Sequence, residues 1–267
     1  MDLQGKRILL TGAAGGIGSK LGDMLAARGA KLCLLGRSDA SIASLREQIV
    51  SRRMDAIVVQ ADVTDEDARA YALAEMREVF GGIDVLINLA GQLDFHLFDE
   101  AAPRMIPRLL QVNLEAPMQL TREVLPHLLT QRSGRIVNIG SIFGSIGYPG
   151  FAAYSASKFA LRGFSQALRR ELAGTGVGVT YVAPRAVRTP FNPPAVNMMA
   201  EQGMMHMDEP ASVAARIVRA IERDAAEVYL GFPESLFVRI NAVLPGVVDH
   251  SLRKVMPALA RYARGWP

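Results

Sequence analysis

The 267-residue chain has one cysteine and four histidines, too few for a disulfide scaffold or an obvious metal centre. Cys33 has no partner for an internal bridge, and within the apolar run KLCLLG it reads as a buried, inert thiol. His96, His127, His206 and His250 are widely separated and lack ligand spacing, so no metal is expected. Aromatic residues make up only 6%, and no basic stripe runs among them, which argues against nucleic acid as a partner. Excess charge is small: Lys+Arg 30 against Asp+Glu 26 gives +4, spread along the chain, enough to attract phosphorylated small molecules or anionic surfaces. No apolar run approaches the ~18 residues of a membrane span. The apolar stretch in the opening MDLQGKRILLTG is too short for a signal peptide, and the expected location is cytoplasmic.

What is present is an ordinary globular composition, 50% hydrophobic and 21% charged, long enough for a substantial core. Short apolar runs alternate with longer amphipathic segments. KRILLT (6–11), KLCLLG (31–36), AIVVQAD (56–62), IDVLINLA (83–90), GRIVNIGS (134–141), VGVTYVAP (177–184) and EVYLG (227–231) read as strands buried on both faces. Helical patterns lie between them at 17–28, 38–52, 65–80, about 103–131, 152–173 and 210–223, with Ser38, Thr64 and Asp208 as N-cap candidates. Such alternation predicts an α/β fold: one doubly wound Rossmann domain over 1–267, with a parallel seven-stranded sheet and helices on both faces. In such sheets ligands bind beyond the carboxyl ends of the strands, at the switch in strand order.

The strand ends are distinctive. The first runs into TGAAGGIG, where Gly12, Gly16 and Gly18, with Ile17 between the last two, allow a tight turn and close approach of backbone N–H groups to a pyrophosphate. The second ends in LLGRS. A free ribose 2′-hydroxyl is usually met here by a carboxylate about 20 residues past the glycines, but Gly36 stands at that point with Arg37 next. A guanidinium suits a 2′-phosphate, and Ser38 adds a hydroxyl, so NADP(H) is expected over NAD(H). In the phrase YSASK, Tyr154 and Lys158 fall one helical turn apart, and a neighbouring cation is expected to lower the phenol's pKa and make it a usable acid or base.

TGAAGGIG, NLAG at 88–91, the serine ending VNIGS and YSASK occur in the order and spacing of the short-chain dehydrogenase/reductases. The chain resembles the single-domain type of that family from Lys6 to about Gly231. The resemblance implies that Tyr154 is the catalytic acid/base, that Lys158 lowers its pKa and holds the nicotinamide ribose, and that Ser141 binds the substrate carbonyl. It further implies that Asn113 helps hold a water linking Lys158 to solvent. Asp62 and Val63 would meet the adenine, Asn88, Ala90 and Gly91 would line the cofactor, and Pro184, Val187 and Thr189 would meet the nicotinamide side. One departure stands out: APRAVRTP carries Arg185 where the family usually has glycine, and two readings stand open, an ordinary conformation or a reach towards an anionic substrate group or cofactor phosphate.

These roles agree with what ketone reduction demands, a hydride to carbon and a proton to oxygen. The expected function is hydride transfer between nicotinamide and a hydrophobic ketone or secondary alcohol, 3-oxoacyl, lipid or steroid-like. The segment 190–208, too polar and broken for a core helix, corresponds by the resemblance to a substrate lid. Its Met198, Met199, Met204, Met205 and Met207 leave two uses open, an adaptable apolar cover or the packing of an ordered loop. The segment 234–267 reads as an amphipathic tail, for which two uses stand open: a membrane-surface segment feeding a lipid to the site, or a cover on the pocket or a partner subunit. The resemblance further implies a homodimer or homotetramer, formed through the helices around 103–131 and 152–173 that usually pair subunits in the family. Two rival readings remain, a catalytically idle NADP(H)-binding sensor or scaffold and a peripheral membrane lipid-associated protein.

Overall fold

The computed structural model describes residues 1–265. The last two residues of the expected tail, 266 and 267, lie outside them. Numbered in chain order, the principal strands are β1 (Arg7–Leu10), β2 (Lys31–Gly36), β3 (Ala56–Gln60), β4 (Val85–Asn88), β5 (Gly134–Ile139), β6 (Val177–Ala183) and β9 (Glu227–Tyr229). They form one seven-stranded parallel sheet in the order β3–β2–β1–β4–β5–β6–β9, and the short strands β7 (Ala186–Val187) and β8 (Met207–Asp208) pair separately. This is the expected doubly wound sheet. Its order reverses between β1 and β4, so the carboxyl ends of those strands open a crevice.

Every residue of β5 is buried, which is why its sequence shows no polar alternation. In β1 the side chains divide by position. Ile8 and Leu10 join a core with α1 (Gly16–Ala26), Leu45 of α2 (Asp39–Arg52), and Ile217 and Ile221 of α8 (Pro210–Glu222). Leu9 faces the other layer, with α3 (Glu66–Phe80), α5 (Ala116–Thr130) and Leu168 of α6 (Ala152–Glu171). Cys33 lies in that second layer, where burial pushes its thiol up to about 12.

The caps differ from expectation at two of three helices. Ser38 caps α2, its Oγ accepting from the Ser41 N–H at 3.3 Å. Asp65, not Thr64, caps α3, its Oδ1 accepting from the Ala68 N–H at 2.9 Å, while the Thr64 hydroxyl accepts from Arg108 at 3.1 Å and donates to Asp62 at 2.7 Å. Asp208 does not cap α8; its carboxylate is taken by Arg185 at 2.7 Å.

The predicted helix over 103–131 is α4 (Met105–Leu110) and α5 joined by a wider π turn at Gln111–Glu115. Pro117 has no N–H to return to the Asn113 carbonyl, so the α ladder breaks there, and the Ala116 N–H reaches back five residues to Gln111. The segment 190–208 does hold a helix, α7 (Pro194–Glu201), and it reaches the interior: Val196 and Met199 are buried against Phe151, Tyr154 and Leu259. The tail forms α9 (Glu234–Val243) and α10 (Pro245–Ala263), which fold back on the body through Val238, Val248 and Leu259.

Candidate active site

A cleft of about 520 Å³ opens at the sheet's switch point, within the range of small-molecule sites. One end is the turn after β1. Gly12 has φ +66, and a Cβ there would lie 2.9 Å from the Ala90 nitrogen. A Cβ on Gly16 would meet Thr189 Cγ2 at 2.5 Å, so this glycine lets the loop after β7 close on the turn. The helix α1 starts at Gly16 without a side-chain cap, leaving its first N–H groups and positive dipole end at the cleft. That cradle fits the pyrophosphate of a dinucleotide.

Across the cleft, Ser141 follows β5 and Tyr154 and Lys158 come from the first turns of α6. The Ser141 Oγ accepts from the Phe143 N–H at 3.1 Å, which leaves its proton free to donate. Behind it, the Tyr181 hydroxyl donates to the Ser141 carbonyl at 3.4 Å, and Gly140 and Gly144 leave room for that ring. Tyr181 therefore positions the serine, a role hidden in a strand that reads as core. Lys158 Nζ donates to the Ile139 carbonyl at 3.1 Å and lies 5.8 Å from the centre of the Tyr154 ring.

The titration of this pair corrects the expectation that the cation depresses the phenol. Burial pushes Tyr154 up to about 12, and the Ser141 hydroxyl, which favours the phenolate, opposes this only in part. Burial also lowers Lys158 to about 8. Both groups are buried, and loss of water is the leading cause of the shift at each.

Gly12, Gly16, Ile17, Gly18, Ala90, Gly91, Ser141, Tyr154, Lys158, Pro184, Val187 and Thr189 line the cleft together, whereas Arg37, Ser38, Asp62, Val63, Asn88 and Asn113 lie outside its lining. Arg37 is exposed at the carboxyl end of β2. A carboxylate at position 36 is sterically disfavoured: a Cβ on Gly36 would approach Ser41 Oγ and Ile42 Cδ1 of α2 to 2.9 Å. Ser38 is occupied as a cap, its hydroxyl left only a 3.4 Å contact to Ser41 Oγ. Asp62 is spent on Thr64 and on Arg108 of α4 at 3.1 Å; burial alone would raise its pKa, but these bonds hold it below the usual carboxylate range. Val63 is buried, and its carbonyl accepts from Arg69. The Asn88 side chain points to Asn138 at 2.8 Å and knits β4 to β5. Asn113 is fully buried, its amide donating to the Gln92 carbonyl and Ser157 Oγ and accepting from the Gln92 N–H at 2.8 Å. It staples the loop after β4 to α6, beside Lys158.

The sequence reading missed the aromatic wall. Phe143 stacks on Tyr148 at 4.8 Å and meets Tyr154 edge-on at 6.4 Å, while Phe151 packs 5.0 Å from Phe143. The clustered aromatics of SIFGSIGYPGF, between the serine and the tyrosine, were the available signal. Arg185 resolves the other open question. It avoids positive φ and pairs with Asp208 at 2.7 Å and Glu234 at 2.9 Å, joining the loop after β6 to β8 and to the start of α9. Arg185→Leu is expected to leave the Asp208 carboxylate without this partner and Glu234 with only His206 at 3.2 Å, and to cost roughly 1–3 kcal/mol, read as a Tm lower by several degrees. An unchanged Tm would show that apolar packing alone holds these elements.

The family model for short chain dehydrogenase matches residues 6–200. The chain is 33% identical over 257 residues to the ketoacyl reductase HetN of Nostoc sp., covering 94% of this chain and 89% of that protein. Among solved structures, a short-chain dehydrogenase from Streptomyces avermitilis superimposes with a TM-score of 0.80 at 29% identity, covering 99% of both chains. A tryptophan-substituted variant of actinorhodin polyketide ketoreductase, solved with NADPH, gives 0.77 at 27% identity over 84% of this chain and 95% of that one. The chain belongs to the short-chain dehydrogenase/reductase family. It is an oxidoreductase of that family, which works with a nicotinamide cofactor on carbonyl or alcohol groups. Among the described residues no group of three or more His, Cys, Asp or Glu could hold a metal.

Proposed function

We propose that the protein transfers a hydride between NADP(H) and an apolar ketone or secondary alcohol (3-oxoacyl, lipid or steroid-like), with Tyr154 as the general acid/base. The observation that carries this reading is one cleft in which Ser141, Tyr154 and Lys158 lie between the glycine turn and a wall of Phe143, Tyr148, Phe151, Val196, Met204 and Met205. When bound, the dihydronicotinamide supplies the hydride that forms the new C–H bond. As the C=O π pair moves onto oxygen, the Ser141 hydroxyl donates to that oxygen and the Tyr154 hydroxyl delivers its proton there. A phenol held near 12 carries that proton at neutral pH, the form reduction requires. Lys158, with one donor on Ile139, has others to offer the ribose, and Asn113 keeps the Gln92 loop beside it. The segment 190–208 acts as the lid, its methionines adapting to apolar bulk.

Arg37 supports the preference for NADP(H), as does the ketoreductase solved with NADPH, while the name of the ketoacyl reductase supports a 3-oxoacyl substrate. Arg37→Ala is expected to lower the NADPH-over-NADH preference in kcat/KM by about tenfold or more, the loss of one charge-assisted phosphate contact. An unchanged ratio would place the 2′-phosphate elsewhere. We further infer self-association through α4 to α6, where Leu110, Met118, Leu129 and Phe159 are exposed, each by 38–41%; light scattering would show a single monomer mass if this is wrong.

The test of the reaction is NADPH consumption across ketones graded from short 3-oxoacyl thioesters to long-chain and steroidal compounds. Turnover rising with apolar bulk supports the reading. Tight NADPH binding without turnover on any ketone would favour a sensor or scaffold.

A further inference from the structure

The turn where α9 passes into α10 at Leu244 is formed by the last residues of α9, Ala242 and Val243, by Leu244, and by the first of α10, Pro245, Gly246 and Val247. The run has no polar side chain, and all six residues are exposed. Val243 is 76% exposed and Leu244 59%. Leu236 and Val243, and Phe237 and Leu244, are each seven residues apart, so the exposed face of α9 continues the turn as one apolar surface. Buried Val248 and Leu259 anchor α10 to the body, which presents the turn on a fixed support. Phe237 and Val247 are shared: both are exposed and both line the cleft, so the surface runs into the site without a polar break.

We propose that this turn seats on an anionic lipid surface and that apolar substrate enters the cleft directly from that surface. The entry step rests on the function proposed above; the contact itself does not. Charge selects the occupant. The segment 234–265 carries five basic residues against two acidic ones, Glu234 and Asp249; with Glu234 held by Arg185 and Arg264 by Glu100, four basic residues remain against Asp249. Arg239 on α9 and Arg253 and Lys254 on α10 are exposed beside the apolar turn, an arrangement complementary to anionic headgroups. A lipid surface also dissolves the apolar substrate that the cleft takes, whereas a protein seated here would cover the mouth formed by Phe237 and Val247. Among the described residues no helix is long and apolar enough to cross a membrane, so the contact lies in the interface.

The test is co-sedimentation of the full chain with vesicles of phosphatidylcholine alone and with about 30% phosphatidylserine, for wild type and the double variant Val243→Glu/Leu244→Glu. Neither residue lines the cleft. We expect wild type to bind the anionic vesicles at least about tenfold better than the neutral ones, with binding weakened by salt, and the variant to lose at least about tenfold in affinity. The variant should reduce a short, water-soluble ketone at the wild-type rate and lose the wild type's advantage on a long-chain ketone supplied in vesicles. No sedimentation of wild type, or equal binding by the variant, overturns the proposal. A shift in oligomeric mass that the variant alone abolishes, without vesicle binding, overturns it in favour of a second copy. Vesicle binding through the turn by a chain that reduces no ketone leaves the contact standing and overturns the reductase reading with the entry step.

Discussion

Tyr154→Phe is expected to lower kcat by about 10³-fold or more while leaving the Kd for NADPH within about twofold. The substitution removes one oxygen and nothing else. The ring keeps its edge-on contact with Phe143 at 6.4 Å and its place among Phe95, Phe151 and Leu259. The lost hydroxyl is buried beside Ser141, in surroundings that already penalise its charged form enough to push it up to about 12. Exchanging such a group for a hydrogen costs little stability, so Tm should move by no more than about two degrees. The glycine turn and the uncapped start of α1 are untouched, which is why cofactor binding should persist. A drop in turnover therefore cannot be blamed on unfolding or on a lost cofactor. Single-turnover rates with NADPH, fluorescence titration of the cofactor and thermal melts separate the three quantities. Retained turnover would remove Tyr154 from the chemistry and move the proton donor to another group at the cleft.

The fold was legible because parallel strands advertise themselves. Positions such as Ile136 and Val137 are buried from both sides, so an unbroken apolar run could mean little else in a chain of this rhythm. The glycine turn and the Tyr154 and Lys158 pair were legible through spacing, since backbone approach and one-turn adjacency are local facts, whereas Ser141 entered through the family resemblance. What escaped was set by tertiary context. The hydroxyl of Thr64 looked free to cap α3, but in the fold it accepts from Arg108 of α4 and Asp65 takes the cap. The π turn at Gln111–Glu115 follows from Pro117, a local signal overlooked because the apolar period continues through it. Arg185 could not be assigned from its neighbours in sequence, since Asp208 and Glu234 reach it only once the lid segment and the tail fold back. The titration of Tyr154 is the clearest case: spacing shows which charge is near a phenol, but not how much water surrounds it, and here the second factor prevails.

Lys158→Met is expected to raise stability near pH 7 while lowering turnover by about 10²-fold or more. The lysine is buried and its pKa is lowered from 10.5 to about 8. Holding its charge inside the fold at neutral pH costs about 3 kcal/mol relative to a group that titrates normally, at 1.36 kcal/mol per unit. Methionine fills similar space without that charge, and forfeits the 3.1 Å bond to the Ile139 carbonyl, worth about 1 kcal/mol. A net gain of about 2 kcal/mol should appear as a Tm several degrees above wild type. The pH dependence gives the decisive sign. Between about 8 and 10.5 the unfolded chain still binds this proton and the folded protein has released it, so wild type gains stability as pH rises through that window. The variant has no such group, and its melts lack this contribution. The Tm difference should thus be largest at pH 7, shrink above pH 8 and be nearly gone, or reversed, by about pH 10. Other titrating groups, including Tyr154, are common to both proteins and cancel in the comparison. A difference that stays constant with pH would mean that Lys158 is not desolvated in the fold, and the stability it gives up at neutral pH could then no longer be counted as the cost of keeping a cation beside the Tyr154 phenol.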